Sequence, residues 1–267
     1  MPGPSSRPTV AVVALAGTLL AAVPSAAQAP RADVEYAEGA IIRGPVAQSQ
    51  LALVFTGHEF AEGAETILDA LARRRLRASF FLTGAFLRAP AKAPLVRRMV
   101  RDGHYVGAHS DGHLLYCPWT GPKTTLVSRQ TFAEDLERNY EALRAFGVRR
   151  ADAPYFLPPY EWYNAEIADW TRAAGFTLIC HTPGTRSNAD YTEEGTRQFV
   201  PSETILQSIL ARERSGPHGL NGFLLLLHVG AGPGRTDKFH ARFGELLDQL
   251  SARGYGFVRV DELLALR

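Results

Sequence analysis

Short apolar runs alternate with amphipathic segments along most of this chain, and that alternation restricts the possible fold more than any other feature. Seven runs have the length and apolarity of buried strands, and they lie at residues 51–55, 78–82, 105–108, 155–157, 177–180, 222–229 and 257–260. The segments between them predict helices at 64–75, 94–102, 131–146, 164–174, 202–214 and 239–253. We expect Thr131 with Glu134, Asn164 and Ser202 to cap the third, fourth and fifth of these helices. Strands that alternate with helices form a parallel sheet, so we expect an α/β fold closed as a (β/α) barrel.

Composition and charge narrow the class of protein. The 267 residues are 46% hydrophobic and 21% charged, which is typical of a soluble globular protein with one sizeable core. The formal net charge is +2 and the lysines and arginines are scattered, so the sequence argues against nucleic acid as a partner. The oligomeric state is left open.

The first 27 residues are predicted to be a signal peptide rather than part of the fold. The uncharged apolar run Val10–Val23 is too short for a comfortable membrane span, and small residues at 24–29 offer a cleavage site. We place cleavage after Ala27, with an uncleaved anchor as the alternative. The mature protein is then expected to be secreted or periplasmic without a stable membrane span, with a lead-in segment at 28–48 and one domain at 49–267.

An oxidising compartment raises the question of disulfides. The chain has two cysteines, Cys117 and Cys180, and one disulfide is possible, although neither spacing nor context requires it. The sequence contains no Cys-x-x-Cys motif, which excludes a cysteine-rich zinc site.

Two histidines, His109 and His113, lie four residues apart directly after the strand predicted at 105–108. Four residues make about one helical turn, so both imidazoles can project to the same side. Neutral imidazole is the commonest protein ligand for zinc-like ions. The pair therefore predicts a site for one divalent metal ion, with zinc as the first choice.

Polar segments follow several of the predicted strands. In a (β/α) barrel, active sites lie at the C-terminal ends of the strands. The segments at that end are Thr56–Glu59, His109–His113, Pro158–Glu161, Thr182–Tyr191 and His228. We therefore expect these five segments to converge on one rim of the barrel.

Five motifs occur in an order and at a spacing that resemble those of the polysaccharide deacetylases of carbohydrate esterase family four. They are LALVF at 51–55, ASFFLTG at 78–84, GHYVGAHSDGH at 103–113, PPY at 158–160 and LLLLH at 224–228. The resemblance runs from about Ile42 to the C-terminus. It implies a deformed seven-stranded barrel, a catalytic domain at 49–267, one divalent metal ion that is usually zinc, and hydrolysis of an acetyl group from a sugar.

Two departures from that family affect the expected chemistry. The family's first motif, Thr-Phe-Asp-Asp-Gly, supplies a base and a metal ligand, whereas residues 54–58 here read Val-Phe-Thr-Gly-His. The family's arginine before Pro-Pro-Tyr, which tethers the base, is Leu157 here. The loss of the aspartates explains the loss of the arginine, because a buried arginine without its carboxylate partner would be destabilising. The segment FTGHEF at 55–60 resembles an orderly variant from a divergent branch of these deacetylases.

The resemblance and the chemistry of deacetylation together assign expected roles. A Lewis-acid ion polarises the acetyl carbonyl, a base activates water, and an acid protonates the leaving group. The expected metal ligands are His109, His113 and Glu59, and the expected catalytic residues are His228 as general acid with Glu59 or Glu161 as base. We favour Glu59 at the metal, and His58 could serve in its place. Substrate contacts are expected from Tyr160, Trp162 and Asp190, although Asp190 could instead orient His228, and Trp119 offers a further aromatic face.

These expectations predict a metal-dependent hydrolase that removes acetyl groups from an acetylated polysaccharide or oligosaccharide. Carbon–nitrogen bonds are the first choice of target and O-acetyl esters the second, and the glycan itself is left open. The alternative is a glycan-binding homologue that kept the barrel and lost turnover. A different metal hydrolase on the same barrel is a third interpretation, because fold alone does not fix function.

Overall fold

The computed structural model describes residues 31–265, and its central element is a parallel sheet of seven strands. In chain order the strands are β1 (Glu35–Ala37), β2 (Ala40–Arg43), β3 (Gln50–Gly57), β4 (Ser79–Leu82), β5 (Tyr105–Ala108), β6 (Tyr155–Phe156), β7 (Thr177–Leu178), β8 (Leu224–His228) and β9 (Gly256–Val258). The order in the sheet is β7-β6-β5-β4-β3-β8, and β9 pairs with the first half of β3. The predicted α/β barrel and its seven strands are therefore confirmed, whereas the predicted signal peptide lies outside the described residues.

In the described part of the chain, eight α-helices connect and cover these strands. They are α1 (Ala64–Arg74), α2 (Gly84–Arg88), α3 (Ala93–Arg101), α4 (Arg129–Arg144), α5 (Ala165–Ala173), α6 (Ser202–Arg214), α7 (Phe243–Ala252) and α8 (Val260–Leu263). Short 3₁₀ turns lie at Pro90–Lys92, Arg150–Asp152, Pro159–Glu161, Ser187–Ala189 and Phe239–Arg242. Within residues 31–265, no helix combines the length and the apolarity needed to cross a membrane.

The helix caps were predicted with mixed success. Asn164 caps α5 as expected, since its Oδ1 accepts the Ile167 N–H at 3.0 Å. The predicted capping box at Thr131 was wrong, because α4 begins two residues earlier and Ser128 Oγ accepts the Thr131 N–H at 3.0 Å. Serine and threonine are both good N-caps, so the sequence pattern alone does not choose between them. The cap before α6 is Pro201, and Ser202 is the first helical residue.

The N-terminal hairpin of β1 and β2 closes the barrel. Ile41 forms a parallel bridge to Ile179, just after β7, and Arg43 forms an antiparallel bridge to Phe223, just before β8. The Arg43 side chain also donates to the Asn221 carbonyl at 2.9 Å. Much of the segment that the sequence suggested only as a lead-in therefore spans the gap between the two edges of the sheet.

The two cysteines are free thiols. Cys117 and Cys180 are both buried, and neither forms a disulfide. The Cys180 thiol instead lies 3.6 Å from the Glu161 carbonyl oxygen. The disulfide that the sequence left open is thus absent.

The register of β3 determines which of its last residues reaches the rim. Thr56 pairs with His228 of β8 and with Phe81 of β4, and in-register neighbours project to the same face of a sheet. A side chain at position 57 would project to the opposite face of the sheet. A Cβ atom on Gly57 would lie 2.8 Å from Leu82 Cδ2 and 3.1 Å from Phe86 Cδ2. A carboxylate at position 57 would therefore enter packed apolar surface rather than the rim.

Candidate active site

A cavity of about 470 Å³ opens at the C-terminal ends of the strands. Its size is typical of a small-molecule site. The residues around it are Thr56, His58, Glu59, Phe60, His109, His113, Trp119, Tyr160, Glu161, Tyr191, Thr192, Glu193, His228, Gly230 and Ala231. Each of the five polar segments expected at the rim contributes to this wall. Of the predicted site residues, only Asp190 and Trp162 lie behind it.

Three imidazoles meet on one side of the cavity. The His58 and His113 rings stack with centroids 4.2 Å apart and an interplanar angle of 12°. The His109 ring meets His113 edge-on at 5.2 Å. His58 comes from the turn after β3, whereas the other two come from the segment after β5. The pair predicted from its spacing therefore gains a third imidazole from the turn after β3, which lies two strands away in the sheet.

Hydrogen bonds at Nδ1 orient two of these rings. His109 Nδ1 lies 2.8 Å from the Leu157 carbonyl oxygen, and because a carbonyl only accepts, Nδ1 carries the proton. The Nε2 lone pair of His109 is then available to a ligand, as is common in metal-binding histidines. His58 Nδ1 lies 3.2 Å from Thr83 Oγ1, the hydroxyl that also caps α2.

Burial keeps the imidazoles neutral. It lowers the pKa of His113 to about 3, with further contributions from the nearby His58 and His228 rings. Burial, aided by His113, likewise holds the pKa of His109 well below its ordinary value. Burial also lowers the pKa of His58, although the Glu59 carboxylate opposes the shift. At neutral pH all three rings are uncharged, which is the form that binds metal.

The donor set fits a zinc-like ion in its chemistry, and the ring orientations must adjust to hold one. Within residues 31–265, no three His, Cys, Asp or Glu side chains already converge as ligands. The ring planes of His58 and His113 are nearly parallel, and ring nitrogens bind an ion in the ring plane, so the two rings do not point at one ion. A side-chain rotation of His58 or His113 would be needed for three imidazoles to share an ion.

Helix α4 holds the backbone of the histidine segment. Asp135 accepts hydrogen bonds from the Ser110 hydroxyl at 2.6 Å and from the Gly112 N–H at 2.8 Å. Asn139, one turn further along, accepts the His109 N–H at 2.8 Å. These contacts support left-handed backbone at Ser110 and His113, with φ values of 70° and 54°. Asp135 and Asn139 were not predicted from the sequence, where their only signal was a polar pair on the apolar face of a helix.

The two candidate base residues differ sharply in environment. Glu59 is exposed at the rim, and Lys92 Nζ donates to its backbone carbonyl at 2.7 Å. Glu161 is half-buried and lies in left-handed backbone with φ of 52°. Burial raises the pKa of Glu161 to about 7, and Asp190 adds to this while the charge of His228 opposes it. Among the described residues, nothing donates a hydrogen bond to the Glu161 carboxylate.

The half-buried His228 and the buried Asp190 form a pair beside Glu161. His228 Nδ1 donates to Asp190 Oδ1 at 2.6 Å, and the His228 N–H donates to Asp190 Oδ2 at 2.9 Å. Burial alone would lower the pKa of His228, but Asp190, with help from Glu161, raises it above its ordinary value. Of the two roles expected for Asp190, the geometry fits the orientation of His228, whose Nε2 remains able to donate a proton.

Replacing Asp190 with asparagine is expected to lower the pKa of His228. The carboxylate stabilises the imidazolium, and the amide keeps a similar shape without the charge. In the metal-free protein, an NMR titration of the imidazole nitrogens should give a lower midpoint for Asp190→Asn than for the parent. The exposed His218 serves as an internal control, and an unchanged His228 midpoint would contradict this account.

Aromatic side chains line two walls of the cavity. Tyr160 contacts His113 at 4.2 Å between ring centroids and meets Trp119 at 5.3 Å. Trp162 stacks behind Trp119, and its Nε1–H donates to the Pro118 carbonyl at 3.1 Å. Tyr191 lies on the other wall, 4.6 Å from the His228 ring. Trp119, Tyr160 and Tyr191 are all exposed, so flat apolar faces are available to a sugar ring, with Trp162 supporting Trp119.

Comparisons with known proteins agree with this architecture. Residues 44–179 match a family model described as polysaccharide deacetylase. A peptidoglycan-N-acetylglucosamine deacetylase of Bacillus cereus is 25% identical over 199 residues, which cover 74% of this chain and 80% of that protein. A chitooligosaccharide deacetylase of Sinorhizobium fredii is 27% identical over 200 residues, covering 71% and 80% respectively. The crystal structure of a carbohydrate esterase family 4 pseudoenzyme from Bacillus anthracis superimposes with a TM-score of 0.65 at 18% sequence identity. The match covers 86% of this chain and 70% of that one. At this identity it shows a similar fold and nothing more.

Proposed function

Since this chain belongs to the polysaccharide deacetylase family, we propose that it is a metal-dependent hydrolase that removes acetyl groups from an acetylated glycan. The observation that carries the proposal is the grouping of His58, His109 and His113 in the same cavity as the His228–Asp190 pair. A merely structural cavity has no need of three neutral imidazoles beside a charged histidine–aspartate pair.

His109 and His113 would hold the metal ion, with His58 as the third ligand in preference to Glu59. His58 is in ring contact with His113, whereas the Glu59 side chain is exposed and only its backbone is fixed by Lys92. A bound zinc ion would supply Lewis-acid polarisation of the acetyl carbonyl and a lowered pKa for water. Asp135 fixes the backbone that carries two of the three ligands.

Glu161 and His228 would handle the protons. Glu161 accepts a proton from the attacking water, a task suited to a carboxylate whose pKa is raised to about 7 and whose oxygens accept no hydrogen bond from the described residues. The oxygen of that water forms a bond to the acetyl carbon while the carbon–nitrogen bond breaks. His228 Nε2 gives a proton to the leaving amine, and Asp190 stabilises the imidazolium until that transfer. The products are acetate and a free amino sugar.

The substrate is proposed to be a glycan rich in N-acetylglucosamine. Tyr160 and Trp119 on one wall and Tyr191 on the other leave a cleft whose flat aromatic faces suit the apolar C–H face of a pyranose ring. The two relatives named above as acting on N-acetylglucosamine in peptidoglycan and on chitooligosaccharide support amide rather than ester chemistry. Such a substrate agrees with the expected secretion of the protein or its location in the periplasm.

A glycan-binding protein without turnover is the second candidate. It is favoured by one observation, which is that Thr56 and Gly57 leave the end of β3 without a carboxylate. The structural neighbour from Bacillus anthracis is itself described as a pseudoenzyme. Binding would use the aromatic walls and would need no metal.

Metal analysis combined with acetate release separates the two candidates. The purified protein should contain about one equivalent of zinc and should release acetate from chitooligosaccharides or peptidoglycan, with acetylated xylan as the ester control. Glycan binding with neither stoichiometric metal nor acetate release would support the binding protein and overturn the hydrolase.

A further inference from the structure

Thr56 carries a buried hydroxyl for which the described part of the chain offers no partner. The residue is 3% exposed, and its Oγ1 neither donates nor accepts a hydrogen bond within residues 31–265. A buried hydroxyl without a partner is destabilising, and such groups are rare in folded proteins. Valine has nearly the same shape and would avoid that cost. The hydroxyl therefore points to a partner that is not part of the protein.

The cavity is where such a partner can bind. Thr56 lines the cavity wall, and its Cα is paired in register with that of His228 on the adjacent strand. The Oγ1 atom itself has almost no exposed surface, so a rotation of the side chain about χ1 is needed to bring the hydroxyl to a partner in the cavity. In-register neighbours on parallel strands lie about 4.8 Å apart and project to the same face. The Thr56 side chain therefore lies beside the imidazole that would donate the proton to the leaving group. Phe81, which is paired with Thr56 on the other adjacent strand, has no hydrogen-bonding group in its side chain.

We infer that the Thr56 hydroxyl binds the oxygen atom that attacks the acetyl carbon, first as water and then as one oxygen of acetate. The two species share this atom, because the water oxygen forms the new bond to carbon and stays in the acetate when the carbon–nitrogen bond breaks. A hydroxyl both donates and accepts, so it can bind either species without itself taking the proton. The inference rests on the proposed function. In it, Thr56 binds the water and Glu161 accepts the proton that the water loses.

Acetate is the probe that tests this inference independently of turnover. Acetate affinity is measured calorimetrically on the zinc-loaded protein for the parent, Thr56→Val and Thr56→Ser. Thr56→Val should weaken acetate binding at least about fivefold, and Thr56→Ser should stay within about twofold, since serine keeps the hydroxyl. On a glycan substrate, kcat/KM of Thr56→Val should fall about tenfold to a hundredfold.

Thr171→Val is the matched control. Thr171 is also fully buried, but its Oγ1 donates to the Ile167 carbonyl at 2.8 Å. The melting temperature should fall in Thr171→Val, which loses a satisfied hydrogen bond, and should stay level or rise in Thr56→Val. Acetate affinity should be unchanged in the control. Should Thr56→Val fail to fold, Thr56→Ala removes the same hydroxyl and takes its place.

The outcomes distinguish this inference from the proposed function. A parent that binds acetate but releases none from any glycan, together with weakened binding in Thr56→Val, would support the oxygen site and overturn the hydrolase. Unchanged acetate affinity in Thr56→Val, or no acetate binding by the parent, would overturn the oxygen site. A drop in melting temperature as large as that of Thr171→Val would also overturn it, because the hydroxyl would then have a protein partner.

Discussion

Replacing His109 and His113 together with alanine is expected to abolish stoichiometric metal binding. Neutral imidazoles would be the main zinc donors in this cavity, and the double substitution leaves His58 as the only one of the three. Acetate release should fall to background, because the Lewis acid is lost with its ligands. Metal content after exhaustive dialysis, measured by mass spectrometry, checks this outcome.

Single variants identify the third ligand. His58→Ala should weaken zinc binding by a factor on the order of ten to a hundred, whereas Glu59→Gln should leave zinc affinity near that of the parent. His218→Ala, which removes an exposed histidine away from the cavity, is the control for loss of a histidine as such. Retention of one equivalent of metal by the double variant would refute the site. Loss of metal in Glu59→Gln but not in His58→Ala would restore Glu59 as the ligand, as the sequence first suggested.

Replacing Glu161 with glutamine is expected to reduce kcat by a factor on the order of 10² to 10⁴, the range typical of losing a general base. Glutamine keeps the size of the side chain and removes its ability to accept a proton. Because the base works in its ionised form, activity of the parent should decline as pH falls below about 7, the pKa to which burial raises Glu161. The pH profile of kcat/KM should lose this acid limb in Glu161→Gln.

Glu59→Gln and Glu193→Gln are the controls for this prediction, since both carboxylates line the same cavity and both are exposed. Each should retain activity within a few-fold of the parent. Substrates rich in N-acetylglucosamine should bind Glu161→Gln with nearly unchanged affinity, because the change affects the proton and not the aromatic walls. If Glu161→Gln keeps full activity while Glu59→Gln loses it, the base is Glu59.

The environments of Glu59 and Glu161 could not be predicted from the sequence. Sequence order placed Glu59 close to the missing aspartates, and that proximity made it the favoured metal ligand, with Glu161 as the alternative base. In the structure, the turn after β3 leaves the Glu59 side chain exposed, while the left-handed turn at Tyr160 and Glu161 leaves the Glu161 carboxylate half-buried. Burial and backbone conformation of this kind depend on packing between strands, which single-sequence patterns do not encode.

Local sequence features determined the elements of this protein. The alternation of apolar runs with amphipathic segments gave seven strands and the (β/α) barrel, because side-chain periodicity reflects burial within one element. The motifs at 103–113 and 224–228 indicated which strand ends carry histidines, because a residue's place along a strand is a local property.

Only the tertiary structure decided how those ends meet. The register that sets Thr56 beside His228, the stacking of His58 on His113, and the hairpin that closes the barrel join residues as many as 180 positions apart in the chain. Such contacts depend on the packing of the whole sheet, and their physical basis is complementarity between distant surfaces rather than any pattern within one segment.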